Sequence, residues 1–170
     1  MPHTSMAVAN EFLKKPGALG RLTQMQLLKL TYIAHGWNLA VSGEPLINER
    51  VEAWNYGPVI RDLYSHIRYN GNEPIKRKIA DSDSDVYLFY GEKPANPKFY
   101  DETLSNTEAD VLNRVWGKYG NLSGFQLSQL THKVGTPWFE TYFSDTSGRK
   151  EIPNDLIRKH YIELANRVAH

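Results

Sequence analysis

Three residues, His35, Glu52 and His132, are of the types that act as general acids, general bases or metal ligands. Their spacing supports neither use. The chain has no His-Glu-x-x-His, paired-histidine or aspartate-rich signature, and a lone histidine beside tryptophan and leucine on a helix is more often a hydrogen-bonded core residue. Ser5, Ser42 and Ser123 lie outside any nucleophile-elbow context, and Ser123 has a capping role of its own. Gly17 and Gly20 do not lead into the Gly-Lys-Ser/Thr of a phosphate loop. The absence of cysteine removes thiol nucleophiles, thiolate zinc sites and disulfides together. The expectation is a non-enzyme with no catalytic, metal-binding or cofactor-binding residues.

Residues suited to binding lie in one stretch. Trp54 and Tyr56 stand on a short arm before Gly57-Pro58, and Arg61, Tyr64 and Arg68 follow at spacings that share a helix face. Tryptophan, tyrosine and arginine are enriched among interface hot spots, so these five are the candidate partner-binding residues. Each also has a plainer role, the rings filling a core beneath the Gly-Pro turn and the arginines lying on a solvated face. Lys29 interrupts an apolar helix. Because an unpaired buried ammonium is costly, it is expected to meet a partner such as Glu52 or a helix-end carbonyl. Lys76-Arg77-Lys78 could touch phosphates, but the acidic run from Asp81 to Asp85 follows within a few residues and would repel a nucleic-acid backbone.

The element that must position these residues is the run from Thr23 to Gly43. Thr23 and Gln26 form a capping box, and Gly43 suits a left-handed stop. Leu27, Leu30, Ala34, Trp37 and Val41 recur at steps of three and four, with Leu28, Tyr32, His35 and Leu39 as a second row. Two apolar rows predict a helix with neighbours on two sides, running through the middle of the domain. A short amphipathic helix precedes it over Thr4–Lys15. After it, Val51 and Ala53 alternate with Glu52 and Trp54 as a strand or arm. Gly57-Pro58 then starts a helix carrying Val59, Leu63 and Ile67. Between Asn72 and Thr103 the chain reads as a loose hairpin in which Val86–Tyr90 is a strand, paired with Ile75–Ile79 or with the Val51 arm.

Capping boxes at Ser105/Glu108 and Ser123/Gln126 open two further helices, the second with Phe125, Leu127 and Leu130 on its apolar face. Thr136-Pro137 starts a short aromatic helix, Ser144–Lys150 is a polar loop, and Pro153–Val168 is a last amphipathic helix. The fold class is therefore α+β, mainly α: a multi-helix domain around a central buried helix with a small antiparallel sheet. At 170 residues the chain suits one domain, 1–170. Twenty basic against 19 acidic residues leave no global field toward nucleic acid or an anionic membrane. No apolar run approaches the ~20 residues of a membrane span, and a cytoplasmic protein is the expectation.

Leu28-Lys29-Leu30 with Tyr32, His35-Gly36-Trp37, Glu44-Pro45-Leu46, Glu52-Ala53-Trp54 followed by Tyr56-Gly57-Pro58-Val59, and Leu130-Thr131-His132 with Pro137-Trp138 occur in this order. In that order and spacing the chain resembles the Panacea-domain family, the SocA-like antitoxins often carried on prophages. The resemblance covers most of the chain and matches least from Pro74 to Thr103. It implies an antitoxin of a toxin–antitoxin system, which neutralises a cognate and often translation-blocking toxin, encoded by an adjacent gene, by direct protein binding. Its alternative implication is an adaptor that delivers the toxin to an ATP-dependent protease. Neither implication comes from composition or periodicity.

Overall fold

A computed structural model of the chain describes residues 1–91, 94–144, 148 and 150–169. Among them run eight helices: α1 (Ser5–Leu13), α2 (Gln24–Ser42), α3 (Arg61–Ile67), α4 (Asp85–Tyr90), α5 (Asn106–Tyr119), α6 (Gly124–His132), α7 (Pro137–Ser144) and α8 (Asn154–Ala169). Five of the others are arranged around α2. Its start is fixed reciprocally, the Gln26 N–H donating to Thr23 Oγ1 at 3.4 Å and the Thr23 N–H donating to Gln26 Oε1 at 2.9 Å. Its end is closed by Gly43 at φ +78°, whose N–H donates to the Leu39 carbonyl. Both expected rows are buried, except that Trp37 is half-buried and Val41 is exposed in the last turn. Buried nearly all round, α2 packs against α1, α3, α5, α6 and α8. Its crossing with α8 is close: a Cβ on Gly36 would lie 2.2 Å from the Tyr161 ring.

The boxes at Ser105/Glu108 and Ser123/Gln126 open α5 and α6 as expected. Three strands, β1 (Val51–Trp54), β2 (Gly57–Val59) and β3 (Glu151–Ile152), form an antiparallel sheet in the order β2-β1-β3. Val51 and Ala53 are buried on its inner face, while Glu52 and Trp54 are half-exposed on the other.

Several local expectations are corrected. Gly57-Pro58 does not start a helix: it forms β2, and α3 begins at Arg61, because Gly57–Val59 find hydrogen-bonding partners on β1. Val86–Tyr90 is helix, not strand. Asp85 occupies its first turn, Gly91 at φ +69° ends it, and with Val86 62% and Phe89 84% exposed there is no sheet face to join, so the backbone bonds locally. Ile75–Ile79 forms no strand either. The Ile75 N–H donates to the Leu22 carbonyl, and Asn10 of α1 brackets Ile79, accepting from its N–H at 2.7 Å and donating to its carbonyl at 2.9 Å. Phe125 and Leu130 lie outside the α6 core face, leaving Leu127 to be buried. β3 was not foreseen, and the polar loop read over Ser144–Lys150 lies mostly outside the described residues.

Candidate functional site

Two residues, Asn55 and Tyr56, join β1 to β2. Neither takes positive φ. The turn is closed instead by Gly57 at φ +111°, a conformation that side chains resist. A Cβ here would also lie 2.7 Å from Lys29 Nζ, so the tip of that side chain would have to shift.

That contact is one part of a clamp. Lys29, wholly buried on α2, donates from Nζ to the Tyr56 carbonyl at 2.9 Å and to the Pro58 carbonyl at 3.1 Å. Ser128 Oγ of α6 donates to the same Tyr56 carbonyl at 2.9 Å. From α7, Trp138 Nε1 donates to the Trp54 carbonyl at 2.6 Å, and the Tyr142 hydroxyl donates to Asn55 Oδ1. Side chains of three helices thus hold the hairpin tip, while the Tyr56 ring stands 68% exposed. Lys29 does meet carbonyl partners, but on the hairpin rather than at a helix end, and Glu52 is not among them. Burial lowers its pKa from the usual lysine value to about 7.

Glu52 is held elsewhere. Arg61 grips it with two bonds, Nε to Oε2 at 3.1 Å and an Nη to Oε1 at 2.8 Å, and Trp54 Nε1 adds a third at 3.1 Å. The hydrogen bond from Arg61 is the main reason its carboxyl titrates below the ordinary range. His35 is the core residue expected: Nδ1 accepts from the Leu46 N–H at 3.3 Å and Nε2 donates to Asn154 Oδ1 at 2.9 Å. Its burial depresses the imidazole to about 4, so it is neutral near pH 7. His132 lies by Ser128 Oγ at 3.2 Å and edge-on to Trp138. His35, Glu52 and His132 therefore have separate partners, and no group of three histidine or acidic residues among the described residues could hold a metal.

Trp54 is the wall between two clefts. On one side is a polar cleft of about 820 Å³, with Glu49, Arg50, Glu52, Arg61 and Asp62 in its lining. On the other is a groove of about 770 Å³, between the hairpin, the N-terminal half of α2, and α6. Leu28, Val59 and Tyr64 line it beside Lys29, and Tyr56 and Phe125 stand exposed along it. Of the five candidate residues, Trp54, Tyr56 and Tyr64 meet at this groove, the Trp54 and Tyr64 rings edge-to-face at 5.1 Å. Arg61 faces the polar cleft. Arg68 is separate: it lies in a 3-10 turn after α3 and pairs with Asp85 at 3.2 Å and with Tyr69. Phe125, 72% exposed, was missed as a surface residue. The available signal was that its helical neighbours at three and four, Ser128 and Gln129, are polar.

The chain belongs to the family described as Antitoxin SocA-like, Panacea domain, which it matches over residues 27–139. The matched span includes Lys29, the whole hairpin and α6. Among its relatives is Antitoxin SocA of Caulobacter vibrioides (strain NA1000 / CB15N), 33% identical over 133 residues. That alignment covers 78% of this chain and 66% of the relative, so the chain spans just under two thirds of the relative's length. No solved structure matches. Among the described residues, no helix is long and apolar enough to cross a membrane.

Proposed function

We propose that this protein is an antitoxin that neutralises a protein toxin by direct, stoichiometric binding, without a catalytic step, and that the hairpin tip and the groove beside it form the contact. One observation carries the surface assignment: three helices immobilise the backbone around Tyr56 while its ring is left 68% exposed. A side chain carried on an immobilised backbone loses less entropy on binding than one on a mobile loop, which suits an interface anchor. Family membership and the relative's name support the antitoxin role. In this reading the single domain acts in the cytoplasm on the product of an adjacent gene, a translation-blocking toxin, and covers that toxin's active site or substrate path.

The test is co-expression with each neighbouring open reading frame, followed by co-purification. The expected result is one neighbour that arrests growth alone and is rescued and retained by this chain, equally in protease-null cells. If no neighbour is both toxic and bound, the reading fails.

A further inference from the structure

Lys29 is more than the clamp requires. A lysine ammonium has three N–H donors, and two of them satisfy the Tyr56 and Pro58 carbonyls. The third has no acceptor among the described residues, and no carboxylate there lies within ion-pair distance of Nζ. The group is wholly buried, yet Lys29 lines the groove beneath the hairpin. None of the residues lining that groove is acidic; Lys29 and His132 are its basic members. The rest of the lining is largely apolar and aromatic, with Leu28 and Val59 below and the exposed rings of Tyr56 and Phe125 on the hairpin and α6 sides.

We propose that this groove docks an aspartate or glutamate side chain carried within an apolar segment of a partner protein, with the carboxylate seated against Lys29. Near neutral pH Lys29 is shared between amine and ammonium, and an incoming anion favours the ammonium, since charge-assisted bonds formed away from water are about twice as strong as neutral ones. The Ser128 hydroxyl proton is already donated to the Tyr56 carbonyl, which leaves His132 beside it as the α6 side chain that can face the carboxylate. A side-chain carboxylate fits better than a chain end, because apolar residues on both sides of it can then cover Tyr56 and Phe125. The proposal deepens the toxin-binding reading by stating what chemistry that surface recognises, and rests on it for the choice of surface.

The test needs no knowledge of the toxin. The full chain is panned against phage displaying random twelve-residue peptides fused through their C-terminal ends, so that the only carboxylates in the peptides are side chains. The proposal expects selected peptides to share an aspartate or glutamate flanked by apolar residues. Replacing that acid by its amide should weaken binding roughly ten- to hundredfold. Tyr56→Ala or Phe125→Ala, at exposed positions, should lose the same peptides. Because Lys29→Met could disturb the hairpin, the wild-type chain supplies the second measurement: in ¹⁵N-lysine NMR, the acidic peptide should raise the Lys29 titration midpoint and the amide peptide should not. Selection of neutral or basic peptides, no selection at all, or acidic peptides that leave the Lys29 midpoint unmoved would each overturn it. Each of these results leaves the co-expression test of the antitoxin reading standing on its own.

Discussion

At Lys29 one side chain serves two structural needs at a cost. It ties the central helix to the hairpin through two carbonyls, and its burial lowers its pKa to about 7 from 10.5. Between those values the unfolded chain binds more protons than the folded one, so this group makes stability rise with pH from about 7 to 10.5 and contributes no slope below about 7. The expected outcome is that the stability of wild type relative to Lys29→Met increases from pH 7.5 to pH 9.5 in urea unfolding. A pH-independent difference would show that the ammonium remains charged when buried. At Gly57, alanine has to adopt φ +111° and press against Lys29 Nζ; a loss of about 1–3 kcal/mol is expected in the same assay. Tyr56→Ala tests function: stability within about 0.5 kcal/mol of wild type, since the ring is largely exposed, but toxin affinity reduced by about 2 kcal/mol or more in calorimetric titration.

Among the elements, the capped helices show how local chemistry sets boundaries. In α5 the Glu108 N–H donates to Ser105 Oγ at 3.2 Å and the Ser105 N–H donates to Glu108 Oε1 at 2.7 Å. Glu108 also reaches His3 at 3.0 Å, fastening α5 to the segment before α1. Ser105→Ala should therefore cost about 1 kcal/mol by thermal or urea unfolding and leave toxin binding unchanged, as α5 does not line the groove. The caps, the central helix and the alternating arm were all legible in the sequence, because each is a contact between residues a few positions apart. Val86–Tyr90 was not. Its alternation suits a strand, but a strand needs a partner edge, and none is offered to it. Pro58 failed for the converse reason: it suits a helix start, but β1 supplied a strand partner for Gly57–Val59.

Across the whole molecule the fold depends on how closely the helices approach α2. Gly36 is a point of close approach, with Tyr161 of α8 buried against it. Alanine there gains about 1 kcal/mol in helix propensity but overlaps a ring that has no free space to enter, so a net loss of about 1–3 kcal/mol is expected, measured by urea unfolding. The binding surface is likewise a property of the assembled chain. The sequence alone determined the mainly helical class, the central helix and the helix caps, because those follow from short-range spacing and residue type, and the order of its motifs along the chain carried the resemblance to an antitoxin family. It also singled out Trp54, Tyr56 and Tyr64. Only tertiary structure decided that Arg68 stands apart, that Arg61 holds Glu52, that Phe125 joins Tyr56 at one groove, and that Lys29 lies beneath the hairpin without a counter-ion. The Arg61–Glu52 pair is nine positions apart and the other relations join residues at least 17 apart; the packing of α6 and β2 against α2, and of α7 against β1 and α6, brings them together.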